Sequence, residues 1–561
     1  MSQETYPIQM ERDVLARMRD GVILRADVFR PSTEGRFPVL LQRTPYNKAN
    51  YNANGAPFAI RAASQGYVVV LQDVRGRFAS DGEWYPFRHE LEDGYDTVEW
   101  AATLPYSNGR VGMMGWSYLG VTQLFAALAQ PPHLECLYPV VTACDYYDEW
   151  TYRGGVFQQF FNESWASFRL APDTLNRRVQ KSANAMTRVW NLPLGAFSFF
   201  ETGPVRELAP YFFDWLRHPS YDGYWKQWSL EGRFGRIAVP AWHVGGWYDI
   251  FLNGTLRNYV GIRVHGATEA ARRGQRLMIG PWYHDPASFR QGQGGELTFA
   301  PEGCVNEEDE MLRWFDYTLK GIANGLEKEK PVRIFVMGEN VWREEDEWPP
   351  ARAQETRYFL HPEVLRTNPP GSDPPSVFVY DPADPVPTSG GGNCCDHDHL
   401  APGVYDQRPI ESRDDVLLYS TEPLDAEIEV TGPVTAELYV STSAVDTDFT
   451  AKLVDVHPDG FARNLADGIL RLRYRNSFES PELAIPGKIY KITIDLWATS
   501  NLFRRGHRIR LEVSSSNFPR YDRNLNTGED LLTGQRMLRA NQTVYHDSEH
   551  PSALILPVVP R

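Results

Sequence analysis

Short apolar runs alternate with segments of helical periodicity along residues 1–144 and again along residues 236–350. The runs lie at residues 37–41, 67–71, 109–116, 137–142, 237–244, 276–280 and 332–336. Apolar residues recur at helical spacing at residues 58–64, 93–102, 121–128 and 307–320. Strands that are buried on both faces and separated by helices predict a parallel α/β sheet with right-handed crossovers. An Asp-Gly turn within residues 14–30 indicates an antiparallel hairpin ahead of this sheet.

Two other regions break this alternation. From residue 145 to 235 the strand pattern is absent and aromatic residues recur at helix-like spacing, which predicts a helical cap inserted over the carboxyl edge of the sheet. Past residue 349 the period changes to two, with Pro, Gly and Asp turns between the apolar segments. This pattern predicts an antiparallel β-sandwich of jelly-roll type over residues 351–561, with a Pro- and Gly-rich loop at 381–392.

The composition narrows the class of partner. The 561 residues include 57 Lys and Arg against 72 Asp and Glu, which gives a formal net charge of −15 and disfavours nucleic acid and anionic membrane surfaces as partners. The first residues lack a basic and apolar leader pattern, and no apolar stretch is long enough to span a membrane. Five cysteines are few for this length. These features predict a cytoplasmic protein with reduced thiols and leave homo-oligomerisation open.

A glycine-flanked serine stands where one apolar run leads directly into a helical segment. The stretch at residues 115–120, GWSYLG, is close to the G-x-S-x-G pattern, with the second glycine displaced by one residue. Such a turn holds its central residue in a strained conformation that exposes the hydroxyl above the sheet. Ser117 is therefore the candidate nucleophile, and the N–H of Tyr118 is the first candidate donor to an oxyanion. The alternative is a surface serine in an ordinary strand-to-helix loop.

A carboxylate and an imidazole follow two later strands of the same predicted sheet. Asp249 comes after the run at 237–244, and His284 after the run at 276–280. Since the carboxyl ends of parallel strands meet at one edge of a sheet, both side chains are expected near Ser117. The chain order Ser, Asp, His is that of α/β-hydrolases and predicts acyl transfer by a catalytic triad, without a metal or an organic cofactor. The alternative for His284 is a capping or core histidine.

With these residues in place, the chain resembles the cocaine-esterase-like branch of the X-prolyl dipeptidyl peptidase family of serine hydrolases. The resemblance runs along nearly the whole chain. It rests on residues 43–46 (RTPY), 73–77 (DVRGR), 115–120 (GWSYLG), 246–249 (GWYD), 279–284 (IGPWYH), 446–449 (DTDF) and 455–460 (DVHPDG). It implies an α/β-hydrolase domain formed by residues 1–144 and 236–350, a helical cap at 145–235 and a C-terminal jelly roll at 351–561.

The resemblance also implies roles for individual side chains. The triad of the family maps onto the serine, aspartate and histidine already named. Its second oxyanion donor is a tyrosine hydroxyl, and the matching residue is Tyr46. The substrate is a small-molecule ester or amide, and the acyl pocket implied by the resemblance is formed by Trp150, Trp165 and Phe251.

Two loops need a separate interpretation. Residues 393–399, NCCDHDH, do not match the family, and they are expected to reach toward the place where the jelly roll meets the active-site mouth. A Cys/His/Asp cluster suggests metal binding, but adjacent cysteines lack the separated pairs of a structural zinc site, which favours a polar loop instead. In the loop at 72–82, the mixture of Arg, Asp and Gly favours a network that makes the rim rigid over a direct catalytic role.

The sequence leaves the choice between related activities open. The resemblance allows a carboxylesterase, an amino-acid-ester hydrolase or β-lactam acylase, or an X-prolyl dipeptidyl peptidase. The latter two must bind a substrate ammonium, for which the cap offers Asp145, Asp148, Glu149 and Glu163. Aromatic residues near the catalytic loops favour an apolar or aryl acyl group, so an esterase is expected first. A carbohydrate-binding or scaffold protein built on the jelly roll would leave the ordered triad unexplained.

Overall fold

The computed structural model describes residues 5–50, 55–174, 189–190, 192–196 and 208–561. In this part of the chain one sheet of ten strands carries helices on both faces, and a second sheet of eleven strands is mostly antiparallel. The predicted fold class, an α/β-hydrolase domain followed by an all-β domain, is confirmed. Within the predicted cap, residues 175–188, 191 and 197–207 lie outside the described residues.

The first sheet is parallel through its centre and antiparallel at its edges. The strands of this half of the chain are β1 (Ile8–Arg17), β2 (Ile23–Pro31), β3 (Phe37–Thr44), β4 (Val68–Asp73), β5 (Ser107–Trp116), β6 (Leu134–Val140), β7 (Tyr152–Arg153), β8 (Val156–Phe157), β9 (Trp242–Gly246), β10 (Arg276–Gly280), β11 (Val332–Val336) and β12 (Val341–Glu345). Their order in the sheet is β1-β2-β4-β3-β5-β6-β9-β10-β11-β12, while β7 and β8 pair separately. All residues of β4 are buried, and its first four, residues 68–71, form a continuous apolar run.

Helices cover both faces of this sheet. The α-helices of the described chain are α1 (Ala56–Ser64), α2 (Glu90–Ala102), α3 (Tyr118–Ala129), α4 (Gln159–Ser164), α5 (Ala171–Thr174), α6 (Pro210–Arg217), α7 (Gly223–Lys226), α8 (Leu252–His265), α9 (Glu269–Arg273), α10 (Pro286–Gln291), α11 (Glu307–Lys320) and α12 (Arg408–Glu411). Of these, α4 to α7 belong to the cap and α12 to the β-domain. On one face α2 and α3 bury Val98 and Leu124 together with the cap aromatics. On the other face α1 and α11 bury Phe58 and Phe315. The sheet is thus fully covered and presents only its edges to other parts of the molecule.

The second half of the chain forms the β-domain. Its strands are β13 (Gln354–His361), β14 (Val364–Arg366), β15 (Ser376–Tyr380), β16 (Leu417–Ser420), β17 (Ile428–Thr442), β18 (Asp448–Val456), β19 (Ala462–Arg471), β20 (Tyr490–Phe503), β21 (Arg508–Ser514), β22 (Ala540–Tyr545) and β23 (Ala553–Val559). In β20, Ile492, Ile494 and Leu496 are buried while the residues between them are exposed. This period of two is the alternation that the sequence shows.

The β-domain packs against the carboxyl edge of the first sheet. Trp247 and Tyr248, which follow β9, belong to the same buried cluster as the inward-facing residues of β17 and β20. The hydroxyl of Tyr248 donates to the carbonyl of Asn464 on β19, at 3.0 Å. Loops of the β-domain are therefore held beside the strand ends that carry the predicted catalytic residues.

Two local features differ from the sequence-based expectation. The strand expected at 237–244 begins only at Trp242, because Pro240 has no N–H to offer to a ladder. The cysteines are not all reduced, since Cys394 and Cys395 are joined by a disulfide while Cys136, Cys144 and Cys304 are free.

Among the described residues, no helix combines the length and the apolar character that a membrane span requires.

Candidate active site

Ser117 lies at a sharp turn between β5 and α3. Its backbone angles, φ 57° and ψ −118°, are strained for a residue that carries a Cβ. The turn is fixed from both sides, because the N–H of Ser117 donates to the carbonyl of Val140 at 2.9 Å and its carbonyl accepts from Gly120 at 2.8 Å. The surrounding backbone therefore holds the serine in a conformation that it would not adopt alone.

The packing around the serine turn explains why its second glycine is at residue 120 and not at residue 119. A Cβ on Gly115, whose φ is 138°, would lie 2.5 Å from the Cβ of Leu119. A Cβ on Gly120 would lie 2.6 Å from the Cβ of Thr142, just after β6. Both distances are too short for real Cβ atoms. The start of α3 thus comes closest to the segment after β6 at residue 120, where a glycine is needed, whereas residue 119 has room for a leucine side chain.

The predicted base and its orienting carboxylate are hydrogen-bonded to each other. Nδ1 of His284 lies 2.7 Å from Oδ2 of Asp249, and the other carboxylate oxygen accepts from the N–H of Phe251 at 2.7 Å. The Asp249 side chain is fully buried, whereas His284 keeps a tenth of its side-chain surface exposed. Because Nδ1 is used by Asp249, Nε2 is the ring nitrogen that can exchange a proton with a substrate or a nucleophile.

Ser117 and His284 line one cavity of about 820 Å³. Its floor, defined here as Ser117, His284 and Tyr46, consists of residues that follow β5, β10 and β3. The cap contributes an aromatic side of the cavity, and the β-domain contributes residues 394–398. The cap residues of this aromatic side are Phe161, Trp165 and Phe168. The cavity is large enough for a drug-sized ester.

Tyr46 is placed so that its hydroxyl belongs to the cavity. Its oxygen accepts a hydrogen bond of 3.0 Å from the indole Nε1 of Trp165. Burial raises the pKa of Tyr46 to about 12, so the phenol keeps its proton at neutral pH. An indole N–H only donates, so this bond uses a lone pair of the phenol oxygen and not its proton. The group can therefore act as a donor to a developing oxyanion.

Tyr118 is anchored by its side chain, which fixes the start of α3. Its hydroxyl donates to Glu90 at 3.0 Å and accepts from the N–H of Phe87 at 2.8 Å. Glu90 in turn pairs with the buried Arg43 at 2.8 Å. Since Tyr118 is the first residue of α3, its backbone N–H belongs to the first turn, where N–H groups have no carbonyl partner within the helix. The backbone N–H of Tyr118 is therefore in a suitable position to donate to an oxyanion, together with the hydroxyl of Tyr46.

The three residues of the implied acyl pocket lie close together but are not equally accessible. Trp165 lines the cavity. Trp150 and Phe251 are fully buried and stack on each other with ring centroids 4.4 Å apart. The ring of Phe251 lies edge-on to the imidazole of His284 at 5.3 Å. Trp150 and Phe251 thus form a buried layer that packs against His284 and against the aromatic side of the cavity.

The four cap carboxylates do not line this cavity. Asp145 accepts from backbone N–H groups of its own helical turn, and Asp148 accepts from the N–H of Gly154 at 2.9 Å. Glu149 pairs with Arg257 at 2.8 Å, and Glu163 accepts from Gln159 at 3.0 Å. Burial raises the pKa values of Asp148 and Glu149 to about 7 each. These groups hold the cap together, and none of them is placed to bind a substrate ammonium.

The loop with the mixed Arg and Asp residues forms the expected network. Arg75 pairs with Asp93 at 2.6 Å. Arg77 is fully buried and donates to the carbonyl of Pro45, at 2.9 Å, and to that of Leu170, at 3.0 Å. The guanidinium of Arg77 therefore connects the loop that carries Tyr46 with the cap.

Sequence reasoning expected the loop at 393–399 near the active-site mouth but named none of its residues as site residues. Cys394, Cys395, Asp396, His397 and Asp398 all line the cavity. The signal in the sequence was the unusual run NCCDHDH itself, and what was missing was that these side chains line the cavity.

A possible metal-ligand group lies elsewhere. In the described part of the chain, Asp455, His457 and His507 are close enough to share an ion. Nδ1 of His507 is hydrogen-bonded to Asp455 at 2.7 Å, in the ladder of the β-domain. None of these three residues lines the catalytic cavity.

Comparison with known proteins agrees with this architecture. Residues 20–286 match the model of the X-Pro dipeptidyl-peptidase (S15 family), and residues 324–555 match that of the X-Pro dipeptidyl-peptidase C-terminal non-catalytic domain. The chain is 39% identical over 574 residues to the cocaine esterase of Rhodococcus sp. (strain MB1 Bresler), with 98% of each chain covered.

Solved structures give the same result. An aminopeptidase from a marine sediment Thaumarchaeota archaeon has a TM-score of 0.88 at 27% identity, covering 100% of this chain and 98% of its own. An α-amino acid ester hydrolase has a TM-score of 0.86 at 26% identity, with coverage of 100% and 98%. From these similarities and the geometry above, the chain belongs to the X-Pro dipeptidyl-peptidase (S15) family of serine hydrolases.

Proposed function

We propose that this enzyme hydrolyses carboxylic esters with an apolar or aryl acyl group through an acyl-enzyme on Ser117. One observation carries the proposal: a serine in a strained strand-to-helix turn shares a cavity with a histidine whose Nδ1 is bonded to a buried aspartate. Such an arrangement activates a hydroxyl for attack on a carbonyl carbon.

The chemistry follows from the positions of the donors and acceptors. Nε2 of His284 takes the proton of Ser117 while the serine oxygen attacks the ester carbonyl. Asp249 keeps the imidazole in the right tautomer and stabilises the imidazolium. The negative charge that develops on the carbonyl oxygen is received by the Tyr46 hydroxyl and the Tyr118 N–H. The histidine then protonates the leaving alcohol, and water releases the acyl group by the same route.

The lining of the cavity supports an apolar group on the substrate. Phe161, Trp165 and Phe168 form its cap side, and Trp150 with Phe251 supports them from behind. Aromatic side chains bind apolar and aryl groups through large, rigid contact surfaces. The related proteins include an aminopeptidase and an α-amino acid ester hydrolase, so amide and aminoacyl-ester cleavage are the alternatives. Asp148, Glu149 and Glu163 have internal partners and lie outside the cavity lining, which favours the simple ester. In the alternatives, a substrate ammonium would bind the carboxylates that do line the cavity, which are Asp173, Asp285, Asp396 and Asp398.

A substrate panel tests this choice. The purified enzyme is assayed with p-nitrophenyl esters of increasing acyl size, with aminoacyl esters and with X-Pro anilides. We expect the highest kcat/KM for aryl or medium apolar acyl esters. A preference of more than about tenfold, or ~1.4 kcal/mol in transition-state binding, for an aminoacyl ester or an X-Pro anilide would contradict the proposal.

A further inference from the structure

The β-domain closes the cavity with a disulfide between adjacent residues. Cys394 and Cys395 are bonded to each other, and both line the cavity that holds Ser117 and His284. Residues 394–399 are called the disulfide loop below. The remaining cysteines are free and do not line this cavity. The sulfur pair is thus in reach of a substrate bound at the floor.

The disulfide belongs to the apolar side of the cavity and not to the solvent surface. Cys394 is only 2% exposed and is part of the buried cluster that contains Phe161, Trp165 and Phe251. Cys395 packs against the same cluster. Sulfur is polarizable and makes favourable contacts with aromatic rings. The disulfide thus extends the apolar surface of the cap aromatics, and a substrate group bound against these aromatics would also meet the sulfur atoms.

The disulfide loop is also held at both ends. The side-chain amide of Asn393 donates to the carbonyls of Gly390 and Ala401, each at 3.0 Å. Further along, Nδ1 of His397 lies 3.5 Å from Oδ2 of Asp285, the residue next to the catalytic histidine. A disulfide between neighbours closes a small ring that includes their peptide bond, so the backbone between these anchors has little freedom. The loop presents a fixed surface to the cavity.

We propose that the Cys394–Cys395 disulfide is a specificity-determining wall of the substrate site, which contacts the apolar group of a bulky ester and keeps the disulfide loop in place. The inference rests on the proposed ester hydrolysis at Ser117. It predicts that a bulky ester loses binding when the disulfide is opened. A small ester, which reaches Ser117 without touching the wall, should lose less binding than the bulky ester.

Reduction by a dithiol opens the wall without any mutation. A thiolate of the dithiol attacks one sulfur, the S–S bond breaks, and a mixed disulfide forms; the second thiol then releases it. In sum, two electrons and two protons pass to Cys394 and Cys395, which become thiols, and the dithiol becomes its own cyclic disulfide. The free cysteines do not take part, so their number gives an internal check on the reaction.

The test uses the full-length enzyme in three forms: untreated, reduced with dithiothreitol, and as the double variant C394A/C395A. Thiol titration of the denatured protein should give three thiols before reduction and five after it. Each form is assayed with p-nitrophenyl acetate and with p-nitrophenyl 4-phenylbutyrate. Cys304→Ala, which removes a free and partly exposed thiol elsewhere, is the matched control.

We expect KM for the 4-phenylbutyrate ester to rise about tenfold in the reduced enzyme and in the double variant, as for the loss of one apolar contact surface. The effect should be selective, so that the ratio of the KM values of the two esters changes about tenfold in these two forms, while C304A should behave as the wild type on both esters. Five thiols in the untreated protein would overturn the inference. So would equal losses on both esters, which indicate general damage, or no change on either. Failure of the acetate to react in any form would instead contradict the proposed function.

Discussion

The floor of the cavity and its wall are built in different ways. Ser117, His284 and Tyr46 follow strands of the first sheet, so backbone ladders set their relative positions. The disulfide loop lies in the long connection between β15 and β16, and it is held by a disulfide and by side-chain links such as His397 to Asp285. Under the two proposals above, the sheet positions the reacting groups, whereas the β-domain selects which substrates reach them. The predictions below separate these two contributions.

The largest effect is expected at the nucleophile. Ser117→Ala should lower kcat at least about a thousandfold, because only the oxyanion donors and substrate binding remain. Alanine fits the same backbone at the turn, so the melting temperature should stay close to that of the wild type. Steady-state kinetics with p-nitrophenyl acetate, with a thermal melt as the folding control, measure both. A folded variant that keeps more than about a hundredth of the wild-type kcat would remove Ser117 from the mechanism.

Tyr46→Phe tests the second part of the floor. It keeps the ring and removes the hydroxyl, so kcat should fall about a hundred- to a thousandfold with KM little changed. The hydrogen bond from Trp165 is lost as well, and Trp165→Phe is therefore the matched control, because it removes this bond but keeps the phenol proton. We expect less than about a tenfold loss of kcat in the control. Equal losses in the two variants would assign Tyr46 a packing role.

His397 and Asp285 test whether the wall is held from the side of the floor. The hydrogen bond from His397 is the main reason why the pKa of Asp285 lies below its ordinary value. His397→Ala and Asp285→Asn should each raise KM for a bulky ester about threefold, and the double variant should show no further rise, since both remove one link. Asparagine can still cap α10 in place of Asp285. Additive effects of the two substitutions would show that the residues act separately.

The smallest effect is expected on the pH dependence of thermal stability, through the buried Glu307 at the start of α11. Burial raises the pKa of Glu307, the first residue of α11, to about 8 from an ordinary value of 4.5. Between these two values the folded state keeps a proton that the unfolded state releases, so the free energy of unfolding falls as the pH rises. Glu307→Gln should match the wild type near pH 5 and melt about two to four degrees higher at pH 8, with kcat unchanged. The exposed Glu302→Gln is the control, and equal melting temperatures of E307Q and wild type at pH 8 would contradict the assignment.

The floor could be predicted from the sequence because its logic is local. Ser117, Asp249 and His284 each come within a few residues after an apolar run, and parallel strands bring their ends to one edge whatever the details of the loops. The helix at Glu307–Lys320 has the predicted bounds, because its apolar residues recur at helical spacing along the sequence. The strand at Trp242 begins later than predicted, because a proline interrupts its apolar run.

Only the general position of the wall, near the active-site mouth, could be predicted, because its contacts join distant segments of the chain. Nothing in residues 393–399 indicates that they meet Asp285, which lies more than a hundred positions earlier in the chain. Adjacent cysteines were interpreted as reduced thiols because composition alone sets that expectation. The depth of Trp150 and Phe251 behind Trp165 is likewise a result of three-dimensional packing, since all three are simply aromatic residues in the sequence.

The central claim, that Ser117 is the nucleophile activated by His284 and Asp249, is tested most directly by covalent labelling. The native enzyme is treated with a fluorophosphonate, esterase activity is followed over time, and the digested protein is examined by mass spectrometry. We expect a single adduct on the peptide that contains Ser117, formed in parallel with the loss of activity, and much slower labelling in Asp249→Asn. An adduct on another residue, or full esterase activity after Ser117 has been labelled completely, would contradict the account.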